Sequence, residues 1–107
     1  MRKIYNVIVD RPMGYIDNFG NIYPVNYGYI PGIIAGDGEE QDAYIISKNV
    51  TSPVEFFSGR LVAIIHREDD VEDKWIITSE TEELSIDDIK KSTNFLEKFF
   101  KSKIEIL

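Results

Sequence analysis

The sequence predicts a mainly β fold of the α+β kind, a small β-barrel carrying one C-terminal α-helix. Three observations predict it. Short β-rich apolar runs separated by turn residues recur as far as residue 78. A single stretch near the end, from residue 86, switches to three-four apolar spacing. The chain of 107 residues is one ordinary domain, 1–107, with a modest core and no repeat or linker to divide it.

The elements follow in order. Residues 2–9, RKIYNVIV, alternate loosely and predict a strand. DNFGN at 17–21 is turn chemistry. IYPVNYGYIPG at 22–32 is extended, because each proline biases its predecessor away from helix. An acidic loop at 37–42 leads into the strand DAYIIS at 42–47, and KNVTSP is a loop. RLVAIIHR at 60–67 is a buried-strand pattern. EDDVED at 68–73 is a second acidic turn, and KWIIT at 74–78 the strand after it. Ser85 caps a helix, with Asp88 three residues on and Asp87 favouring the positive end of the dipole. Ile86, Ile89, Thr93, Leu96 and Phe100 form its apolar stripe, so the helix is expected to run to about residue 101. KIEIL at 103–107 is expected as a closing strand.

The formal net charge is -7. Nucleic acid is excluded as a partner on that ground, since phosphate backbones need a basic face. A phosphate substrate is not excluded if divalent cations lie between protein acids and phosphate oxygens. The absence of cysteine removes disulfides, thiolate metal sites and cysteine nucleophiles, and suits a reducing cytoplasm. No apolar run approaches a membrane span, and Asp10 interrupts the N-terminal run too early for a secretory signal.

Both acidic clusters lie at strand ends, and neighbouring strand ends of a small barrel share a rim. Asp37, Glu39, Asp42, Asp69, Asp70, Glu72 and Asp73 would then converge. Bare carboxylates at short range oppose one another's ionisation, and hard cations relieve this. Either cluster alone reads more simply as a solvated turn. The first is not an EF-hand, because its sixth position is Asp42 where glycine is needed. His66, the only histidine, cannot build a multi-histidine zinc site and reads as a rim residue. No nucleophile elbow, P-loop or dinucleotide fingerprint is present. Tyr23, Tyr27 and Tyr29 are spaced to share one face of a strand, where their hydroxyls would suit phosphate oxygens or simply pack.

YPVNYGYIPG followed closely by DGEEQD resembles the soluble family I inorganic pyrophosphatases, which carry Tyr-Pro-x-Asn-Tyr-Gly-Tyr-Ile and then Asp-Gly-Asp-Pro-x-Asp. DDVEDKW is similar to the family's later Asp-x-Lys segment between two strands. The resemblance implies a five-stranded, OB-like barrel and hydrolysis of pyrophosphate by direct attack of a metal-bound water. It implies magnesium as cofactor, with manganese as a substitute. Asp37, Glu39 and Asp42 fall on metal-binding carboxylates, and Glu39 on the one that helps activate water. Asp69 and one of Glu72 or Asp73 complete the ligands, with Asp73 the first choice. Lys74 falls on a phosphate-binding lysine, Tyr23 and Tyr27 on tyrosines lining the site, and Arg11 on a phosphate-binding arginine. Catalytic roles then go to Glu39, Tyr27 and Lys74, and substrate contacts to Tyr23, Lys74 and Arg11.

The chain also departs from that pattern. It is shorter. Glu39 replaces an aspartate, Glu40 a proline, and the second acidic turn loses about two residues. Phenylalanines stand in the terminal helix where the family grips phosphate with a Tyr-Lys pair, and Asp10 and Arg11 compete for alignment with different family residues. The alternatives are therefore a weak or inactive metal- and phosphate-binding module, or a hydrolase of another small phosphate compound. A membrane partner is not expected; the sequence does not fix the oligomeric state, and a homo-oligomer is one way to shield strand edges.

Overall fold

In the computed structural model, which describes residues 3–69 and 72–107, five strands close into a ring. They are β1 (Ile4–Arg11), β2 (Asn26–Ile34), β3 (Glu40–Ile45), β4 (Phe56–Arg67) and β5 (Asp73–Thr78). Their order is β1-β2-β3-β5-β4, with β4 pairing back to β1. All pairs are antiparallel except β3 with β5. Helix α1 (Ile86–Glu97) follows, then β6 (Ser102–Ile106). The mainly β barrel with one C-terminal helix is the architecture expected. The terminal strand does not close it, however: β6 adds outside the ring on β4, and the β1–β4 pair makes the closure.

The pleat divides the apolar residues into two layers. On β3, Ala43 and Ile45 face the barrel interior with Val7, Ile30 and Ile77. Tyr44 and Ile46 face outward and are covered by α1, in a second cluster with Tyr23, Tyr27, Ile65, Ile76 and Ile89. Ile89 is fully buried there; burying such a side chain is worth roughly 1.5–3 kcal/mol. Gly28 lies where β1 crosses β2 so closely that a Cβ would collide with the Ile8 carbonyl.

α1 begins as expected. The Ser85 hydroxyl accepts from the Asp88 N–H, and the Asp88 carboxylate accepts from the Ser85 N–H. It ends four residues early, because the chain turns at 98–101 to join β6. The Phe100 N–H bonds the Glu97 carbonyl, and the Glu68 N–H bonds the Lys101 carbonyl. The face it buries is Ile89, Thr93 and Glu97, so a carboxylate takes a place the apolar stripe assigned to no acid. Among the described residues no helix is long and apolar enough to cross a membrane.

Glu82 fastens the loop before α1. Its carboxylate accepts from the Lys48 N–H at 2.8 Å and the Thr78 hydroxyl at 2.8 Å, while the Arg60 guanidinium donates to its backbone carbonyl. Partial desolvation pushes its pKa up. Hydroxyls of Ser47 and Thr78 and the Lys48 N–H outweigh that and hold it at about 2. A folded pKa below the ordinary 4.5 gives stability that is present above that pH and lost as pH falls towards 2. Glu82→Gln is therefore expected to flatten the pH dependence of the urea midpoint between those limits; an unchanged slope would deny the carboxylate this role.

Candidate active site

The parallel pairing of β3 and β5 decides where the acidic turns meet. Asp37 and Glu39 lead into β3, and Glu72 leads into β5. Ala43 lies opposite Trp75 in that pair, so Asp42 comes alongside Lys74. Gln41 pins the start of both strands, donating to the Asp73 carbonyl at 2.6 Å and the Asp42 carbonyl at 2.9 Å. Two turns separated by some thirty residues of sequence thus open onto one place.

Lys74 is the centre of that place. Its ammonium is buried and donates to Asp42 Oδ2 at 2.6 Å and to Glu72 Oε2 at 2.7 Å. The Asp37 carboxyl is held below the usual range, first by the Glu39 N–H at 3.0 Å and then by a hydrogen bond with the Glu72 carboxyl. Gly38 takes the positive φ of 85° that tightens this turn. Glu39 has its backbone fixed on both sides, by Asp37 and by the Ala35 N–H, and is exposed at the tip.

Aromatic residues wall the other side. Tyr27 is buried between Tyr23 and Tyr44 at centroid distances of 5.7 and 4.9 Å, and the Lys74 ammonium lies 5.6 Å from its ring. Burial and the adjacent Asp42 raise the Tyr27 pKa well above the ordinary value, so its hydroxyl keeps its proton and can donate. Arg11 donates to the Tyr23 hydroxyl at 2.6 Å and lies over the Tyr23 and Tyr27 rings. Tyr29 shares the outward face of β2, opposite Asp42.

A bulge in β1 separates Asp10 from Arg11. Val9 pairs with Gly28 and Arg11 with Tyr27, leaving Asp10 as the extra residue in β1. Both side chains then serve the same region. Arg11 meets the tyrosines, and Asp10 lies within electrostatic reach of Asp42. Burial raises the Asp10 pKa and Asp42 adds to the rise, against the lowering effect of its own backbone and Arg11.

Two expected ligands lie elsewhere. Asp73 is one residue from Lys74, so the pleat turns it to the opposite face. There its carboxylate meets His66 Nδ1 at 3.1 Å, while His66 Nε2 meets Glu105 at 2.8 Å. Glu72, two residues from Lys74, shares the Lys74 face. Asp69 accepts the Lys101 N–H at 3.2 Å beside β6. Asp70 lies outside the described residues.

The donors fit a hard divalent cation. They are all oxygen, they come from two turns, and an ammonium now balances two of them. Among the described residues no three such side chains close around a single point, since Lys74 stands between Asp42 and Glu72. Three residues around the site carried no signal in the sequence: Arg67, Glu97 and Tyr44. Glu97 accepts from Arg67 and from the Tyr44 hydroxyl beneath the helix.

A closed barrel with one covering helix and carboxylates gathered at the mouth of a parallel strand pair defines a class of acidic, oxygen-donor sites. The particular family follows from comparison. A profile described as inorganic pyrophosphatase matches residues 5–106, and the chain belongs to that family. It is 32% identical over 69 residues to inorganic pyrophosphatase 1 of Pseudomonas syringae pv. tomato, an alignment covering 62% of this chain and 39% of that protein. With the inorganic pyrophosphatase of Pseudomonas aeruginosa it shares 28% identity over 96 residues, covering 84% of this chain and 55% of the other. The chain thus spans about half the length, or less, of these relatives. The crystal structure of inorganic pyrophosphatase from Ehrlichia chaffeensis shares the fold, with a TM-score of 0.74 at 18% identity. That match covers 97% of this chain and 86% of the other.

Proposed function

We propose that this chain is a magnesium-dependent inorganic pyrophosphatase that hydrolyses pyrophosphate to two phosphates. The observation that carries the reading is the meeting of Asp42 and Glu72 on Lys74, with Asp37 on the same acidic turn and Arg11, Tyr23 and Tyr27 beside them, in a member of this family. Asp37, Asp42 and Glu72, with Glu39 at the tip, would hold Mg²⁺, with Mn²⁺ as a substitute. Asp73 and Asp69, already engaged by His66 and by Lys101, stand outside that set. When bound, such an ion supplies Lewis acidity, acidifying water and drawing charge from phosphate oxygens.

The protein groups supply the rest. With Asp42 and Glu72 holding a cation, the Lys74 ammonium that now bonds them would be available to a phosphate oxygen. Arg11 offers a second cation from the opposite wall, and the protonated Tyr27 hydroxyl donates a hydrogen bond. Glu39, exposed at the turn, accepts the proton of the attacking water. Its extra methylene compared with aspartate displaces the carboxylate by more than ~1 Å, a distance at which rate is sensitive to geometry. The net charge of -7 suits this arrangement, because the cations and not the protein surface meet the anion. A cytoplasmic setting fits the cysteine-free composition.

The experiment is release of phosphate from pyrophosphate by the purified chain, with and without Mg²⁺, alongside other small phosphate anhydrides and esters. Magnesium-dependent release from pyrophosphate is expected. Metal binding without turnover of any of these compounds would replace the enzyme reading with that of a binding module.

A further inference from the structure

We infer that Arg67 and Glu97 form a positioning pair that aims Glu72 at the metal, an inference that rests on the metal-dependent reading above. Glu97 occupies the last residue of α1, where the helix dipole disfavours an acid, and the last turn contains no basic residue. It is nonetheless buried, at 7% exposure. Three donors hold it there: Arg67 Nε at 3.0 Å, Arg67 Nη2 at 2.7 Å and the Tyr44 hydroxyl at 2.6 Å. A carboxylate kept at the unfavourable end of a helix and gripped as a fork fixes the plane of its guanidinium. The Phe100 ring fixes it again, 3.7 Å from Arg67 Cζ.

A third guanidinium nitrogen lies near the site. Arg67 Nη1 lies 3.8 Å from Glu72 Oε2, the oxygen that also accepts from Lys74. Lys74 is tethered on one flexible stem and gives way when a cation takes Glu72. Arg67 cannot follow, because Glu97 and Phe100 hold it, so Glu72 keeps its direction. Glu97 has a second effect. An uncompensated guanidinium this close to a metal ligand would repel the incoming dication, and the paired carboxylate cancels that charge. Strand β4 and the terminus of a helix that lacks the family's Tyr-Lys pair thereby act on the site together.

Arg67→Met/Glu97→Gln tests this. It removes both charges together and leaves the Tyr44 hydroxyl an acceptor. Mg²⁺ affinity is read by calorimetry on the free protein, independently of turnover. It is expected to weaken by about 10-fold or more, as for outer partners of metal ligands. An affinity within twofold of wild type, with the fold intact by urea denaturation, would reduce the pair to a structural strut and overturn the inference. If the double variant does not fold, Glu97→Gln alone gives the same reading: it breaks the two-oxygen fork and leaves the Arg67 charge uncompensated, and unchanged affinity again overturns the inference. A wild-type chain that binds Mg²⁺ yet releases no phosphate overturns the proposed activity and leaves this pairing standing. One that binds neither Mg²⁺ nor Mn²⁺ overturns the pairing.

Discussion

Asp42→Asn is expected to lower phosphate release from pyrophosphate by at least about 10²–10³-fold, the scale on which loss of one charge-stabilising group acts in a preorganised site. The substitution keeps the shape of the side chain and its place opposite Tyr29 in the β2–β3 pairing. It removes one of the two carboxylates bonded to the buried Lys74 ammonium, the one at 2.6 Å. Two losses then coincide. The cation loses a ligand, and Lys74 leans wholly on Glu72, the carboxylate at 2.7 Å that is also proposed to hold metal. Magnesium affinity by calorimetry should fall together with the rate, and the urea midpoint should change little beside them, since Asp42 is partly exposed. Phosphate release within tenfold of wild type would take Asp42 out of the site. A rate loss matched by a collapse of stability would make it a packing residue.

The barrel was legible in the sequence because its strands carry short β-branched runs with clear turns between them. The helix start was legible because the capping pattern of Ser85 and Asp88 is local. The placement of Asp42 beside Lys74 was legible only as a guess about a shared rim, since it depends on a parallel pairing between strands separated by all of β4. Glu72 and Asp73 could not be separated by composition; the period-two rule separates them once Lys74 is known to face Asp42. The bulge that lets Asp10 and Arg11 act together has no local sequence signature here. Arg67, Glu97 and Tyr44 stayed invisible for a different reason. Each follows a plain surface or core pattern on its own element, and only the packing of α1 on the outer wall of the barrel makes them one network.

That network predicts the largest effect on stability. Arg67→Met alone is expected to cost about 3–5 kcal/mol, because it leaves the Glu97 carboxylate buried without its compensating cation. Both side chains are nearly sealed, at 5% and 8% exposure, so solvent offers little screening. The guanidinium is itself bound firmly. Burial works against its charge, but the hydrogen bonds and charge of Glu97 outweigh that and raise its pKa. A domain of this size has only ~5–15 kcal/mol in total, so the loss should move the urea midpoint far towards zero. The double variant Arg67→Met/Glu97→Gln should recover most of it, because no charge is then left alone in the interior. This asymmetry is the diagnostic result. If the single substitution costs under about 1 kcal/mol, or the double is no more stable than the single, then Glu97 is not the buried partner that holds Arg67. If the asymmetry appears while magnesium affinity weakens in the double variant, the same two residues stabilise the helix against the barrel and set the geometry of Glu72. Charge loss and packing loss would then be separated by experiment, because the double variant keeps the packing and loses only the charges.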